Sequence, residues 1–448
     1  MLSKSKYTRG MNCQKSLWLY VHKKDEQLVD AGSQFFFNRG YSVAELAQQF
    51  FPDGKMAVLD EFPNFESAKR TQDFIKQGVN TIYEATFIYN DTLIAVDILH
   101  KHNGKWGLYE VKSTNSVKPK HIKDIAIQYF VVNGCGLNIS NVFIMHLNRE
   151  YVRHRDIDVN KLFVSESVLD SVLPLQLEIP NNISSLNQML NESEPTVEMG
   201  EHCNTPYSCD FKEYCSSLLP IVECEHEELS NTPEIMQNEV KVFVDSIKYP
   251  ICHLDFETIM PAVPMFEESR PYQQIPFQYS LHYQETKNSE LKHTFYLAES
   301  KIDIDPRKDL IKQMIKETEN AKTIFVYNIA FERTRINEMS RDFPEYSKDL
   351  ENISERLEDL IIPFRKKYYR TETMEGSSSI KKVLPALCPE LSYTELEIGN
   401  GMAASNAFLD LYYCEDENLK EKTRENLLKY CHLDTLAMVK ILEVLQKV

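Results

Sequence analysis

Two carboxylates stand two residues apart in the apolar segment ICHLDFETI, at Asp255 and Glu257. Side chains two residues apart on a β-strand leave the same face, so both acids would point to one place. Paired carboxylates favour a hard divalent cation such as Mg²⁺ or Mn²⁺, which can stabilise the attacking and leaving oxygens of a phosphodiester. Taken alone, however, the pair is explained as well by two acids on a protein surface.

Two later segments could bring further groups to these acids. In YCHLD, Tyr430 and Asp434 lie four residues apart and share one face of a helix, where the carboxylate can bind metal and the phenol can orient a water. In VYNIAFE, a strand ends just before Glu332, which would place a third acid at the same sheet edge. Taken singly, a core tyrosine and an ordinary helix start explain these segments.

In this order, D-x-E, N-x-x-F-E and Y-x-x-x-D resemble the three motifs of the DnaQ-like DEDD exonucleases, in the subclass that carries a tyrosine. The resemblance covers about residues 248–448 and implies a ribonuclease H-like fold that cuts single strands from a 3′ end with two Mg²⁺ ions. The second motif of that family ends in Asp, so Asp359 in the helical segment RLEDLIIPF is an alternative to Glu332. Ser377–Ser379 and Lys381 form a turn that either contacts phosphate or caps a helix.

A second set of charged residues lies in the first half of the chain. Asp97 belongs to the predicted strand IAVDIL, and Glu110 and Lys112 belong to the next, GLYEVK. Two acids could hold Mg²⁺ while the ammonium group stabilises the developing phosphate charge or positions the attacking water. Because Glu-x-Lys is common on strands, solvent-exposed charges are the alternative interpretation.

The cysteines form the third set. Cys203, Cys209 and Cys215 follow one another with five residues between them, and Cys13 lies far upstream. In a chain of this size without a secretory segment, ten cysteines are reduced thiols or metal ligands more often than disulfides. Four thiolates satisfy a zinc ion as well as an iron-sulfur cluster.

These residues resemble the PD-(D/E)xK nucleases, specifically their RecB-like branch with an iron-sulfur cluster, which includes CRISPR-associated members. The resemblance implies a [4Fe-4S] cluster held by one N-terminal cysteine and a C-terminal trio, with Zn²⁺ as the alternative. It also implies Glu45 as a metal ligand and Gln128 as a catalytic residue, although Val132 stands where a Tyr often follows that Gln. We interpret Glu84 as an exposed strand residue with a weaker claim to be an added acid.

Hydrophobic periodicity predicts elements that would position these residues, and it divides the chain into residues 1–218, a linker over 219–247, and residues 248–448. In the first part we predict α-β-β-β-α-β: a helix over 35–51, strands Thr81–Phe87, Thr92–Leu99 and Trp106–Lys112, helix Lys120–Val132 and strand Asn141–Leu147. In the last part we predict strands in YPICHLDF, PFQYSLHY, LKHTFYL and TIFVYN, a helix over Asp309–Lys322 and a closing helix over Arg424–Gln446.

The net charge of −17 is unfavourable for a nucleic-acid-binding protein, but it is unevenly distributed. Residues 1–155 carry 20 Lys and Arg against 15 Asp and Glu, a balance of +5, which leaves −22 for the remainder.

No segment approaches the ~18 consecutive apolar residues that a bilayer requires. We therefore expect a cytoplasmic protein without a membrane partner.

Both halves together resemble bacterial proteins that fuse a RecB-like nuclease to a domain formerly of unknown function. The resemblance implies an α/β chain with a PD-(D/E)xK restriction-endonuclease-like domain followed by a ribonuclease H-like domain. The implied activity is metal-dependent processing of DNA ends, single-stranded or with 3′ overhangs, with protein partners from a repair, phage-defence or CRISPR system. One alternative is a nucleic-acid-binding protein in which only the DEDD domain cuts, and a weaker one is a redox or electron-transfer protein.

Overall fold

A computed structural model describes residues 1–28, 43–205, 207–219, 232–302 and 304–448. In these ranges the chain is a mixed α/β protein that divides into two compact units. The first unit comprises Met1–Val222 with Arg270–Tyr272, and the second comprises Glu223–Ser269 with Gln273–Val448. None of the helices in the described ranges combines the length and apolar character needed to cross a bilayer.

The first unit is built around one sheet with helices packed against it. Its elements are β1 (Leu2–Ser3), α1 (Lys4–Asn12), α2 (Gln14–His22), α3 (43–50), β2 (Lys55–Met56), α4 (Phe65–Lys76), β3 (Thr81–Tyr89), β4 (Thr92–His102), β5 (Lys105–Lys112), α5 (Pro119–Gly134), β6 (Ile139–Leu147), α6 (Val159–Leu162), β7 (Phe163–Ser167), α7 (Leu169–Val172), α8 (Ile179–Leu190) and α9 (Lys212–Ser217).

The strand order in this sheet is β2-β3-β4-β5-β6-β7, with β1 added beside β4. The central strands β3, β4 and β5 are antiparallel, whereas β6 runs parallel to β5. Helix α5 makes the crossover between those parallel strands; it begins at Pro119, a residue that favours the first helical position. Ile125 and Val131 of α5 pack in one core with Val96 and Leu108 of the sheet. This packing holds α5 over the strands that carry the acids.

The second unit contains a five-stranded sheet and a small two-stranded one in the described residues. Its elements are β8 (Glu234–Ile235), α10 (Gln237–Asp245), β9 (Ile251–Ile259), β10 (Ile275–Gln284), β11 (Lys292–Leu297), α11 (Arg307–Thr318), β12 (Thr323–Val326), α12 (Ile329–Asp342), α13 (Ser347–Glu355), β13 (Leu357–Asp359), α14 (Ile362–Arg365), β14 (Tyr369–Arg370), α15 (Ile380–Leu387), α16 (Gly401–Asp410) and α17 (Glu417–Leu445).

The large sheet has the order β11-β10-β9-β12-β13, with β11, β10 and β9 antiparallel and β12 and β13 parallel to β9. Side chains of β9 alternate between its two faces, as the pleat requires. Leu254 and Phe256 pack in the core formed with α11, α12 and α13. Ile251 packs in a different core with Met438 and Leu442 of α17. The odd-numbered residues of β9 therefore face α17.

The predicted strands and the helix over Lys120–Val132 all form, within a few residues of the predicted ends. Three predictions need correction. Asp359 ends strand β13 and does not lie in a helix, because its segment pairs with the buried strand β12. The closing helix begins earlier, at Glu417, where the Asp416 side chain caps it. Part of the predicted linker, Glu234–Asp245, forms β8 and α10 in the second unit, and Val240 joins its core.

Candidate metal centres

Four carboxylates gather at the α17 face and the adjoining edge of the large sheet in the second unit. Asp255 and Glu257 project from β9, Asp434 from α17, and Glu332 from the first turn of α12, just after β12 ends. Asp434 and Glu332 both raise the pKa of Asp255 and of Glu257 through the repulsion between like charges. These four predicted acids therefore lie near enough to interact electrostatically, and Asp255 and Glu257 are the two of them that share a 4.8 Å grouping of ligand atoms among the described residues.

Burial controls the electrostatics of this cluster, which we call the acid cluster (Asp255, Glu257, Glu332 and Asp434). Burial, together with the charge of Asp434, raises the pKa of Asp255 and Glu257 well above the usual range. Burial also raises the pKa of Asp434 to about 6, although a hydrogen bond from Tyr393 opposes the change. None of the four acids forms an ion pair with a described residue. Close, unneutralised carboxylates of this kind favour a bound cation.

Glu332 is the acid whose environment is least satisfied. Its side chain is 2% exposed, and its Oε2 atom has no hydrogen-bond partner. Burial, followed by the charge of Asp359, raises its pKa to about 8. Asp359 itself accepts hydrogen bonds from the backbone N–H groups of Asn328 (3.0 Å) and Ile361 (3.2 Å). Glu332 is therefore the third acid of the site, and one of its oxygens has no hydrogen-bond partner. Asp359 instead uses its carboxylate to hold the backbone at Asn328 and Ile361.

Three residues surround Asp434, namely Tyr430, Tyr393 and Lys381. Tyr430 is buried one turn before Asp434 on α17 and lowers the pKa of that carboxyl group through a hydrogen bond. The hydroxyl group of Tyr393 donates a hydrogen bond of 2.7 Å to Asp434 Oδ1. Lys381 lies over the rings of Tyr393 and Tyr430, with its Nζ 5.5 and 5.7 Å from their centroids. Tyr393 was missed because its segment, LSYTEL, has no periodic pattern.

Cys431 is a further residue that the sequence did not single out. One ligand atom each of Asp255, Glu257 and Cys431 lie within 4.8 Å of one another. Cys431 follows Tyr430 on α17, so the helix that delivers the tyrosine also delivers the thiol. Burial and the neighbouring carboxylates raise the pKa of Cys431 well above its usual range, which keeps the thiol protonated.

In the first unit, Glu110 lies at the centre of a buried charge network. Its side chain is 2% exposed. Its Oε1 atom accepts hydrogen bonds of 2.8 Å from both Lys112 and Lys4, and its Oε2 atom accepts one of 2.5 Å from Gln128. Lys112 also pairs with Asp124 at 2.9 Å. Burial alone would raise the pKa of Glu110, but the two lysines lower it well below its usual range.

Asp97 and Glu84 face this network from the neighbouring strands. Asp97 Oδ2 accepts a hydrogen bond of 2.6 Å from the N–H group of Val111, which fixes it beside Glu110. Burial and the charge of Glu110 raise the pKa of Asp97 to about 6. Glu84, predicted to be exposed, is half-buried, and burial followed by the charge of Asp97 raises its pKa to about 8. The prediction of an exposed Glu84 was wrong because its side chain leaves the sheet on the face that carries Asp97 and Glu110, near Lys4 of α1.

Of three other residues in this unit, Gln128 and Lys4 hydrogen-bond to Glu110, whereas Glu45 is exposed on a helix. Gln128 is fully buried, and its Oε1 atom has no hydrogen-bond partner. Lys4, which the sequence reasoning missed, reaches Glu110 from α1, and only its position after β1 in the fold reveals it. Glu45 is exposed on α3 and forms no ion pair with a described residue. The part of the predicted helix that precedes residue 43 lies outside the described residues.

The four predicted cysteine ligands line one cavity, together with Lys15, His202 and Lys212. Cys13 caps the start of α2 through its sulfur, and Cys203 lies in a short 3₁₀ turn. Burial raises the pKa of Cys215, and charges on the other three cysteines would raise it further, which reflects their proximity. The fold thus brings Cys13 to the same cavity as cysteines that lie about 190 residues later in the chain. A further cysteine of the sequence that is not among the predicted ligands, Cys224, lies outside the described residues.

Comparisons with known proteins identify relatives without assigning an activity. A family model described as a domain of unknown function, DUF2779, matches residues 252–379, which include Asp255, Glu257 and Glu332. The uncharacterized MG366 homolog of Mycoplasma pneumoniae is 29% identical over 220 residues, covering 46% of this chain and 33% of the relative. The uncharacterized protein UU173 of Ureaplasma parvum is 26% identical over 234 residues, covering 47% and 33%. The chain spans about a third of the length of these curated relatives.

Proposed function

We propose that this chain is a divalent-metal-dependent nuclease that processes DNA ends. The second unit is then a DEDD-type 3′→5′ exonuclease of ribonuclease H-like fold, and the first a RecB-like nuclease of the PD-(D/E)xK fold. The observation that carries the proposal is the acid cluster, in which three buried carboxylates and the half-buried Asp255 lie without an ion-pair partner among the described residues.

The acid cluster supports the proposal because its charges require a compensating cation. Uncompensated burial of ionised carboxylates is costly, and here burial and mutual repulsion raise the pKa of Asp255 and Glu257. The unused Oε2 atom of Glu332 offers an oxygen of the kind that Mg²⁺ and Mn²⁺ prefer. When bound, such ions polarise a phosphodiester and lower the pKa of an attacking water.

The remaining residues around the acid cluster fit a phosphodiester substrate. Tyr430 keeps its proton near neutral pH, because burial raises the pKa of its hydroxyl group, so it can hold a water by a hydrogen bond. The ammonium group of Lys381 lies near the acids and lowers the pKa of Glu257 and Asp434, which shows that its charge reaches the site. A cation there can bind a phosphate oxygen of the strand. Tyr393 positions Asp434.

In the first unit, the network around Glu110 supports two candidate functions. Asp97 and Glu110 provide carboxylates for a divalent ion, and Lys112 provides the charge that stabilises a cleaved phosphate. However, Lys4 and Lys112 already neutralise Glu110, at 2.8 Å each. This double pairing favours a second candidate function, in which the first unit binds nucleic acid and only the second unit cuts.

The donor set of the cysteine cavity fits the proposed [4Fe-4S] cluster. Four thiols line the cavity, with Glu198 and His202 beside them, and thiolates are the ligands that soft metals and iron-sulfur clusters prefer. Four sulfurs around one zinc ion would lie about 3.8 Å apart. Among the described residues, however, none of the groups with three ligand atoms within 4.8 Å includes two of these cysteines. We assign Cys13, Cys203, Cys209 and Cys215 as the ligands of the cluster, with Zn²⁺ as the alternative that four thiolates also satisfy.

End-labelled DNA tests the assignment of the second unit. The 448-residue chain, purified without oxygen, is incubated with single-stranded DNA, duplex DNA or matched RNA. Each substrate is tested with Mg²⁺, with Mn²⁺ and with EDTA. We expect trimming from the 3′ end that requires metal and is lost in Asp255→Asn and Asp434→Asn. Glu358→Gln, which changes an exposed acid on β13, is the control and should retain activity. Full activity in the double variant Asp255→Asn/Asp434→Asn would falsify the assignment.

A second set of variants distinguishes the two candidate functions of the first unit. Glu110→Gln is compared with Glu66→Gln, an exposed acid on α4, and each is combined with Asp255→Asn to silence the second unit. If the first unit cuts DNA, metal-dependent cleavage persists in Asp255→Asn and disappears when Glu110→Gln is added. If it only binds, Asp255→Asn alone abolishes cleavage while DNA binding in a filter assay remains.

A further inference from the structure

Three histidines meet at the opposite side of α17 from the acids, beside the edge of the large sheet. His282 lies on β10, His293 on β11 and His432 on α17. One ring nitrogen of each lies within 4.8 Å of the others, a grouping that we call the histidine trio. Their ring centroids are 4.3 to 4.9 Å apart.

Strand register and helix packing together create the histidine trio. His282 and His293 are directly paired across β10 and β11, so their side chains leave the same face of the sheet. The hydroxyl of Thr435, one turn from His432 on α17, contacts His282 Nδ1 at 2.9 Å and Ser280 Oγ at 2.7 Å. This contact holds α17 over the strands, so that His432 reaches the sheet edge.

From this geometry we propose that the histidine trio is a zinc site, in which three imidazole nitrogens bind Zn²⁺ and water completes the coordination. The Nδ1 atom of His432 and the Nε2 atom of His293 are 3.2 Å apart. Two nitrogens bound to one tetrahedral zinc ion lie about 3.3 Å apart, since each Zn–N bond is about 2.0–2.1 Å. The spacing of this pair therefore needs little adjustment to admit an ion.

The surroundings of the histidine trio match those of histidine metal sites. A histidine that binds metal through one ring nitrogen usually donates a hydrogen bond from the other, and Thr435 Oγ1 stands 2.9 Å from His282 Nδ1, which leaves Nε2 of His282 for the metal. Ser280 Oγ lies 2.9 Å from His293 Nε2, the nitrogen that faces His432, so zinc would replace that hydrogen bond. Nitrogen ligands select zinc over magnesium, which prefers the oxygens of the acid cluster.

A zinc ion at this site would connect two parts of the second unit. It would join the edge hairpin β10-β11 to α17, the helix that also carries Tyr430 and Asp434. The exposed side of the site, at His293, would leave one coordination position open to solvent. Since a metal that binds only the folded state stabilises it, removing the ion should loosen α17 against the sheet.

Counting the zinc ions bound by the 448-residue chain tests the proposal. The protein is treated with a chelator to remove bound metal, incubated with Zn²⁺ in the presence of excess Mg²⁺, and desalted. Its zinc content per chain is then measured by inductively coupled plasma mass spectrometry. We expect His293→Ala and His432→Ala each to retain one zinc per chain fewer than the wild type. Lys292→Ala, an exposed neighbour on β11, and His102→Ala, an exposed histidine in the first unit, should retain the wild-type number.

Each variant is compared with the wild type by the difference in zinc per chain. Zinc bound by the cysteines is present in both proteins and cancels in that difference. Hydrogen exchange of α17 and β11 peptides provides a second readout, with zinc expected to slow exchange in the wild type and in Lys292→Ala but not in His293→Ala. Equal zinc content in all proteins, or zinc-induced protection that survives His293→Ala, overturns the proposal. Both readouts are independent of nuclease activity.

Discussion

Replacing Glu332 with Gln should stabilise the metal-free second unit at neutral pH. The Glu332 side chain is 2% exposed, its Oε2 atom has no hydrogen-bond partner, and its pKa is raised from 4.5 to about 8 by burial and by Asp359. A neutral amide of nearly the same shape avoids the charge that this environment disfavours. The change should therefore remove a destabilising group and, at the same time, a metal ligand.

The size of the effect follows from the two pKa values of Glu332. Because the folded pKa lies above the unfolded one, folding takes up a proton between pH 4.5 and 8. The contribution of the neutral acid to stability is complete below pH 4.5 and is lost as pH rises toward 8. This linkage amounts to about 1 kcal/mol at pH 5 and about 3 kcal/mol at pH 7. Glu332→Gln should recover about these amounts in EDTA.

The assay must report on the second unit separately from the first. Both tryptophans, Trp18 and Trp106, belong to the first unit, so their fluorescence does not follow the second. Hydrogen exchange of peptides from β9 and α12, measured in EDTA at pH 5 and pH 7 and corrected for the chemical exchange rate, gives the opening free energy of the second unit. Glu358→Gln serves as the exposed control. The reasoning would be refuted if Glu332→Gln did not increase the opening free energy of the second unit, or increased it equally at pH 5 and pH 7.

Three further predictions concern other groups. Lys4→Met removes one of the two lysines that pair with Glu110, so we expect divalent ions to bind the first unit more tightly; calorimetric titration of Mn²⁺ into this variant measures it, and unchanged affinity contradicts it. Tyr393→Phe removes the hydrogen bond that lowers the pKa of Asp434, so the acidic limb of metal-dependent cleavage should move to higher pH in a pH-rate profile. Cys209→Ser should reduce iron and acid-labile sulfide per chain and lower the melting temperature of anaerobically purified protein, whereas unchanged iron content argues against the cluster.

Local sequence patterns determined most of the strands and the spacing of the candidate residues. Alternation in ICHLDFETI was enough to place Asp255 and Glu257 on one face of β9, because a strand has a period of two that neighbouring structure does not change. The i, i+4 spacing of Tyr430 and Asp434 likewise placed both on one face of α17. What these patterns leave undetermined is the partner of each face.

Tertiary structure decided which distant groups meet, because such contacts depend on chain crossings that leave no local pattern. Lys4 reaches Glu110 across 106 positions, and Tyr393 reaches Asp434 across 41, from segments without a chemical motif. Burial, and with it each pKa, also depends on the packed neighbours, which is why Glu84 looked like a surface acid in the sequence and lies half-buried in the fold. The sequence thus determines which groups each element can present, and packing determines which of them share an environment.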